Sequence, residues 1–201
     1  MARYRGPKQK KARRFREPIF GPSTALERKP YGPGQHGRSR FTRKSEYATQ
    51  LEEKQKAKYT YGLLEKQFRN LYEKATAKEG VTGENLLQFL ESRLDNTVFR
   101  MGFARSRRQA RQLVNHKHIV VNGNVVNIPS FQLKAGDVVS LRPKSRDLFV
   151  VADAAESASP RKYKWLEVDL AARSGKLLHY PPMEDIPENI NVQLIIELYS
   201  K

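Results

Sequence analysis

Arginine and lysine stand beside glycine, amide and aromatic residues in three short strings: Tyr31-Gly-Pro-Gly-Gln-His-Gly-Arg38, Arg40-Phe-Thr-Arg-Lys44 and Arg105-Ser-Arg-Arg108. Guanidinium forks grip phosphate oxygens in pairs, glycines let a backbone approach closely, and Tyr31, His36 or Phe41 offer faces on which an unpaired base stacks. Such a set suits folded RNA better than plain duplex. Tyr31 and Phe41 serve equally well as packing residues within their own segment, so both readings stand. His116 and His118 flank Lys117, too close together for one helix face, and fit hydrogen bonds to phosphate or a 2′-hydroxyl better than metal ligation. The sequence carries no nucleophile elbow, H-E-x-x-H helix, phosphate-binding loop or dinucleotide fingerprint. Asp95 and Asp137 are single carboxylates in structural places, a helix interior and a turn, so no catalytic constellation emerges and the chain reads as a non-enzyme.

The whole composition agrees with a polyanionic partner. The chain has 38 Lys plus Arg against 21 Asp plus Glu in 201 residues, a net charge of +17, with a pI near 10.1 and a mean hydropathy of −0.72. That excess repels itself unless it meets nucleic acid or an anionic membrane. The hydrophobic fraction of 38% leaves part of the chain outside any core. No run approaches the length of a membrane span and the start lacks a signal-peptide pattern, which predicts a cytoplasmic protein. With no cysteine, disulfides, thiol catalysis and thiolate zinc sites are excluded.

Charge and periodicity divide the chain. Residues 1–44 hold 14 Lys plus Arg against Glu17 and Glu27, a surplus of 12 out of the net 17. Gly-Pro punctuation and the lack of any apolar period predict an extended basic arm that orders fully only against a partner. Its RNA-contact candidates are Arg3, Arg5, Lys8, Lys10, Lys11, Arg13, Arg14, Tyr31, Gln35, His36, Arg38, Arg40, Arg43 and Lys44. Ser45 then caps a helical stretch to residue 79, with Gly62 as a possible break and with Lys54, Lys58 and Arg69 as further candidates. Thr82 is placed to cap a second helix in which Leu86, Leu87, Leu90, Leu94, Val98 and Met101 share one core-facing side, ended by Gly102.

Ser106-Arg-Arg-Gln109 has the form of a capping box opening another helix. Ala110, Leu113 and Val114 make its buried stripe, which leaves Arg107, Arg108, Arg111 and Gln112 to project outward beside Arg105 and Ser106, followed by His116, Lys117 and His118. Asn122-Gly123 between β-branched runs predicts a hairpin, and Val138–Leu141 another strand after the turn at residues 134–137. Residues 153–160 read as a linker, and 162–168 as a return to the sheet. Past Met183 the charge turns acidic, with Glu184, Asp185, Glu188 and Glu197 against Lys201, and Val192, Ile195, Ile196 and Tyr199 mark one helix face, so the tail suits either packing back on the chain or a basic protein neighbour. The fold class predicted is α+β. Its parts are a basic arm (1–44), a mostly helical domain (45–92, completed by 184–201), and an inserted helix-turn-helix plus small β-sheet module (93–183).

Several strings, in chain order, resemble the bacterial and organellar small-subunit ribosomal protein S-four family: Pro33-Gly-Gln-His-Gly37, Tyr61-Gly-Leu-Leu-Glu-Lys-Gln-Phe-Arg69, and Thr82-Gly-Glu-Asn-Leu-Leu87 leading to Glu91-Ser-Arg-Leu-Asp-Asn96. Arg100-Met-Gly-Phe-Ala-Arg-Ser106, Ala110-Arg-Gln-Leu-Val114, Val121-Asn-Gly123 and the terminal Glu197-Leu-Tyr-Ser-Lys201 extend it over nearly the whole chain. The resemblance implies a cofactor-free protein that binds the 16S rRNA five-way junction early in 30S assembly. It places the helix-turn-helix residues on the rRNA face and sets Arg38, Arg40, Arg43 and Lys44 near the mRNA entry path. It also implies that the acidic C-terminal segment meets ribosomal protein S-five and influences translational accuracy. Some relatives carry a zinc-binding C-x-x-C pair where this chain has Gln9 and Ala12, so zinc is not carried over. Two other readings compete: an RNA-modifying enzyme such as a pseudouridine synthase, for which no stretch is left to build a catalytic domain, and a stand-alone RNA chaperone, which leaves the arm and terminal helix unexplained.

Overall fold

The computed structural model describes residues 4–38, 44–156 and 163–200; Arg3, Arg40, Phe41 and Arg43, among the expected contacts, lie outside the described residues. In chain order the helices are α1 (Lys8–Phe15), α2 (Thr24–Arg28), α3 (Glu46–Thr60), α4 (Glu65–Ala77), α5 (Thr82–Glu91), α6 (Leu94–Arg100), α7 (Arg107–Asn115), α8 (Phe149–Glu156) and α9 (Val192–Ser200). The strands are β1 (Ile119–Val121), β2 (Asn124–Val125), β3 (Val138–Leu141), β4 (Leu166–Asp169) and β5 (Ser174–Leu177). No helix among the described residues is long and apolar enough to cross a membrane. The chain forms two compact units, residues 1–70 with 188–201, and residues 71–187.

In the first unit, Ser45 caps α3 by accepting the Ala48 amide at 3.3 Å, and Gly62, at φ +68°, ends the helical stretch before α4 resumes it. The apolar stripe of α9 packs on α3, with Val192 and Ile195 buried and Phe68 stacked on Tyr199 at 6.4 Å. Gln50 fixes the pairing by donating to Glu197 at 3.1 Å. The basic segment departs from the extended arm that composition predicts, because α1 and α2 form in it. Helix α1 has no side-chain cap and no acid in its first turn. Tertiary contact holds it instead: Ala12 is buried, and Tyr4 and Phe15, on either side of α1, both lie against Tyr59 of α3.

In the second unit, five antiparallel strands run in the order β2-β1-β3-β5-β4. The Asn122-Gly123 hairpin forms as expected, both residues in the left-handed region at φ +48° and +83°. Leu94, Val98 and Met101 of α6, with Ala110, Leu113 and Val114 of α7, close over Ile119, Val121, Val139, Leu141 and Leu177 of the sheet. Gly175 permits that closure, since a Cβ there would sit 2.9 Å from the Met101 sulfur.

Three expectations are corrected in this unit. The apolar period predicts one helix from residue 82 to 101, but the chain breaks at Ser92–Arg93, where the Leu94 and Asp95 amides turn to the carbonyls of Phe131 and Pro129 at 2.9 and 3.1 Å. Thr82 is the first helical residue rather than the cap, which is Val81. Residues 153–156 belong to α8 rather than to a linker, because Val151 and Ala154 bury against the core side. Strand β4 begins at Leu166, within the expected return to the sheet.

Candidate nucleic-acid interface

The first unit builds a closed loop around Tyr31. Arg13 reaches back from α1 to the carbonyls of Lys29, Tyr31 and Gly32 at 3.2, 3.1 and 3.1 Å. Its guanidinium lies 4.9 Å from the Tyr31 ring and that of Arg38 lies 4.6 Å from it. Arg38 also donates to the Tyr31 hydroxyl at 3.1 Å. That hydrogen bond, and the positive charge of Arg38, Lys29 and Arg13, hold the Tyr31 phenol below its ordinary pKa. Tyr31 is therefore engaged with two cations of its own segment. Gly37 seals the loop: a Cβ there would lie 1.9 Å from the Gly32 carbonyl oxygen. Gln35, His36 and Arg38 are exposed on it, as are Arg5, Lys8, Lys10 and Arg14 nearby in sequence.

Other cations expected on this surface are differently placed. Lys54 and Lys58 both donate to Glu65, at 2.6 and 3.0 Å, and their side chains are only 11% and 12% exposed. Burial works to raise the Glu65 carboxyl, yet the two lysine hydrogen bonds outweigh it and hold its pKa below the usual range. Lys54 and Lys58, expected as RNA contacts, thus share one carboxylate, which offsets one of their two positive charges. Lys11 is half-buried with its ammonium 4.7 Å from the Tyr59 ring. Lys44 pairs with Glu52 but stays half exposed, and Arg69 is exposed.

In the second unit the turn into α7 has the expected cap, Ser106 Oγ accepting the Gln109 amide at 3.3 Å. Gln109 returns a bond to the backbone one residue earlier than a capping box requires, accepting the Arg105 amide at 2.7 Å. Arg105 is exposed, and its guanidinium is held by the Asp153 carboxylate of α8. Arg107 lies against the Phe99 ring at 4.8 Å and donates to Asn96 at 2.7 Å. Arg108 is half-buried and Gln112 exposed. Arg111 reverses the expectation that it projects outward: its side chain is 5% exposed and donates to Asp95 at 3.1 Å, the same carboxylate that Arg93 grips with two bonds of 3.1 and 2.8 Å. Because α7 turns that edge toward α6, Arg111 locks the two helices together. A second buried network lies close by in sequence, where Arg100 forks onto Glu91 at 3.0 and 2.7 Å while Asn96 donates to Glu91 at 2.8 Å.

Past α7, Lys117 adopts φ +63° and is exposed with His116. His118 sits half-buried with Nδ1 at 2.8 Å from Ser145 Oγ. Burial, then the nearness of His116 and Arg142, lowers its pKa. Asp137 keeps the structural place expected of it, accepting from the Lys134 amide and from Asn122. Of the C-terminal acids, Asp185 pairs with Lys164 at 3.2 Å, Glu184 is exposed, and Glu188 is half-buried. Among the described residues no three of His, Cys, Asp or Glu converge as a metal site. Sequence reasoning missed Asp153, Ser145 and the Arg93–Asp95–Arg111 cluster, since each partner is distant in sequence or read as a lone structural acid.

Residues 3–91 match the family model described as the ribosomal protein S4/S9 N-terminal domain, and residues 92–139 match the S4 domain. Over all 201 residues, and over the full length of each relative, the chain is 65% identical to the small ribosomal subunit protein uS4 of Salinibacter ruber. It is 58% identical to that of Cytophaga hutchinsonii and 59% to that of Bacteroides fragilis, over the same full span. The chain belongs to the uS4 family. In this uS4-family chain the two matched segments meet at residue 91/92, where the backbone breaks between α5 and α6. Chemically, the described residues of each unit offer guanidinium and ammonium groups to anionic oxygens together with amide and imidazole donors, and among the described residues no group is poised as a nucleophile.

Proposed function

We propose that this chain is a structural, non-enzymatic constituent of the small subunit of the cytoplasmic ribosome, held there by binding 16S rRNA. The observation that carries the reading is full-length identity of 65% to a small ribosomal subunit protein. The exposed polar groups of the Tyr31–Arg38 loop and of the turn into α7 supply the phosphate contacts: Arg38 in the first, and Arg105, Gln112, His116 and Lys117 in the second, with the half-buried Arg107 and Arg108 behind them. Arg111, 5% exposed and held by Asp95, is left out of this face, as are Lys54 and Lys58, 11% and 12% exposed beside Glu65, whereas Arg105 stays 55% exposed beside Asp153. In finer detail, the chain recognises the five-way junction of 16S rRNA and nucleates assembly there. Arg38 and Lys44, with Arg40 and Arg43 between them in sequence, lie near the path of incoming mRNA. Glu184, Asp185 and Glu188 meet ribosomal protein S-five and so bear on decoding accuracy.

The test is binding of the purified chain to a five-way-junction fragment of 16S rRNA and to duplex RNA of equal length, across a salt series. Both affinities fall with salt as counterions are released, and the junction preference persists at high salt. Equal, equally salt-sensitive binding to both RNAs overturns the proposal and favours a general RNA chaperone.

A further inference from the structure

We propose that Phe149 is a stacking platform for an unpaired base of the bound RNA, a site that rests on the RNA-binding reading above. Phe149 opens α8 and is 81% exposed, the most open of the large apolar side chains among the described residues. The same helix buries Val151 and Ala154, so α8 has a core side and Phe149 is not on it. A large ring left in water at such a position marks a contact surface rather than packing.

What surrounds the ring identifies the partner. The segment carrying Phe149 is tied to the cationic surface at both ends. Before it, the Arg142 amide donates to the His118 carbonyl at 2.8 Å and Ser145 meets the His118 ring. After it, Asp153 holds the guanidinium of Arg105. Phe149 and Asp153 are four residues apart on one helix and share a face, which sets the ring on the side of α8 that carries Arg105. Among the described residues, Arg142, Lys144 and Arg146 are exposed just upstream beside Asp147, and on α8 itself Asp153 is paired with Arg105 while Glu156 is exposed at the far end. An exposed ring in a segment whose flanking residues are cationic fits a splayed nucleotide, with the base on the aromatic face and the flanking phosphates on the charges. A protein pocket would need apolar company for the ring; next to Phe149 in sequence, among the described residues, Val150 is 41% exposed while Leu148 is packed on the core. Asp153 is then the positioning residue that keeps Arg105 beside the base.

The experiment measures affinity of full-length Phe149→Ala, Phe149→Leu and Phe149→Trp chains for the same junction fragment across the salt series, with thermal melts alongside. Because the ring is exposed, melting is unchanged in all three. Phe149→Ala weakens binding by about tenfold without altering the salt slope, Phe149→Trp restores it, and Phe149→Leu does not. Wild-type affinity in Phe149→Ala, with the junction preference intact, overturns the stacking site alone. Full rescue by Phe149→Leu overturns it too and turns the surface toward an apolar protein partner. Loss of junction preference by the unsubstituted chain overturns the RNA reading itself.

Discussion

In the basic segment before Arg38, Arg13 gives its hydrogen bonds to three main-chain carbonyls and its face to a tyrosine ring. In α6 and α7, Arg93, Arg100 and Arg111 meet carboxylates, with side chains 3–5% exposed. A carbonyl places an arginine without cancelling its charge, whereas a buried carboxylate cancels it and welds two elements together. The first region has two acids among 44 residues and so cannot neutralise itself. The second carries Glu91 and Asp95 inside, and separates its basic residues into interior struts and an exposed set led by Arg105. Counting basic residues therefore overstates how many charges stay available in the second region, whereas few in the first can be cancelled.

The largest expected effect probes the struts. Asp95→Ala leaves Arg93 and Arg111 buried without their shared carboxylate and costs about 3–5 kcal/mol of stability, read from the denaturant midpoint. A shift below 1 kcal/mol would erase the distinction between the two regions. Next, Arg105→Ala lowers junction affinity by about 1–3 kcal/mol and leaves melting in place, because its pairing with Asp153 is at the surface. Arg111→Ala does the reverse, lowering melting before it touches affinity at matched folded fraction.

Smaller again is Gly37→Ala, which drives a methyl into the Gly32 carbonyl. The part-exposed Tyr31–Arg38 loop relaxes around it, so the loss is about 1 kcal/mol of stability, read from the denaturant midpoint, at the low end of overpacking effects. The smallest effect is on acid stability. The folded-state pKa of Glu65 is held below its ordinary 4.5, so its contribution is fully present above that value and is lost as pH falls through the folded-state pKa. Glu65→Gln flattens that acid limb of the stability profile; an unchanged limb would show that Lys54 and Lys58 do not depend on Glu65.

Local chemistry made much of this fold legible. Asn122-Gly123 announces its hairpin because few other pairs tolerate two left-handed residues, and Ser45 and Ser106 announce helix starts because their hydroxyls satisfy the first amides. What stayed hidden depends on partners far along the chain. The break at Ser92–Arg93 is invisible because the leucine period runs straight through it, and only the loop at residues 129–132 draws the backbone aside. Helix α1 depends on Tyr59. Strand β5, Ser-Gly-Lys-Leu, has too little β-branched character to read as a strand and exists because β3 and β4 flank it. Arg111 looked outward because its carboxylate, Asp95, lies sixteen residues back on another helix. The arginines on the turn were legible as a set; which of them remain available was not.

We propose that this chain recognises one place in 16S rRNA by itself. Hydroxyl-radical footprinting of the naked, full-length 16S rRNA with the purified chain as the sole protein tests it most directly. The account predicts protection confined to the five-way junction, weakened by Arg105→Ala without moving elsewhere. Protection spread over unrelated helices, or none until other ribosomal proteins are added, would contradict it.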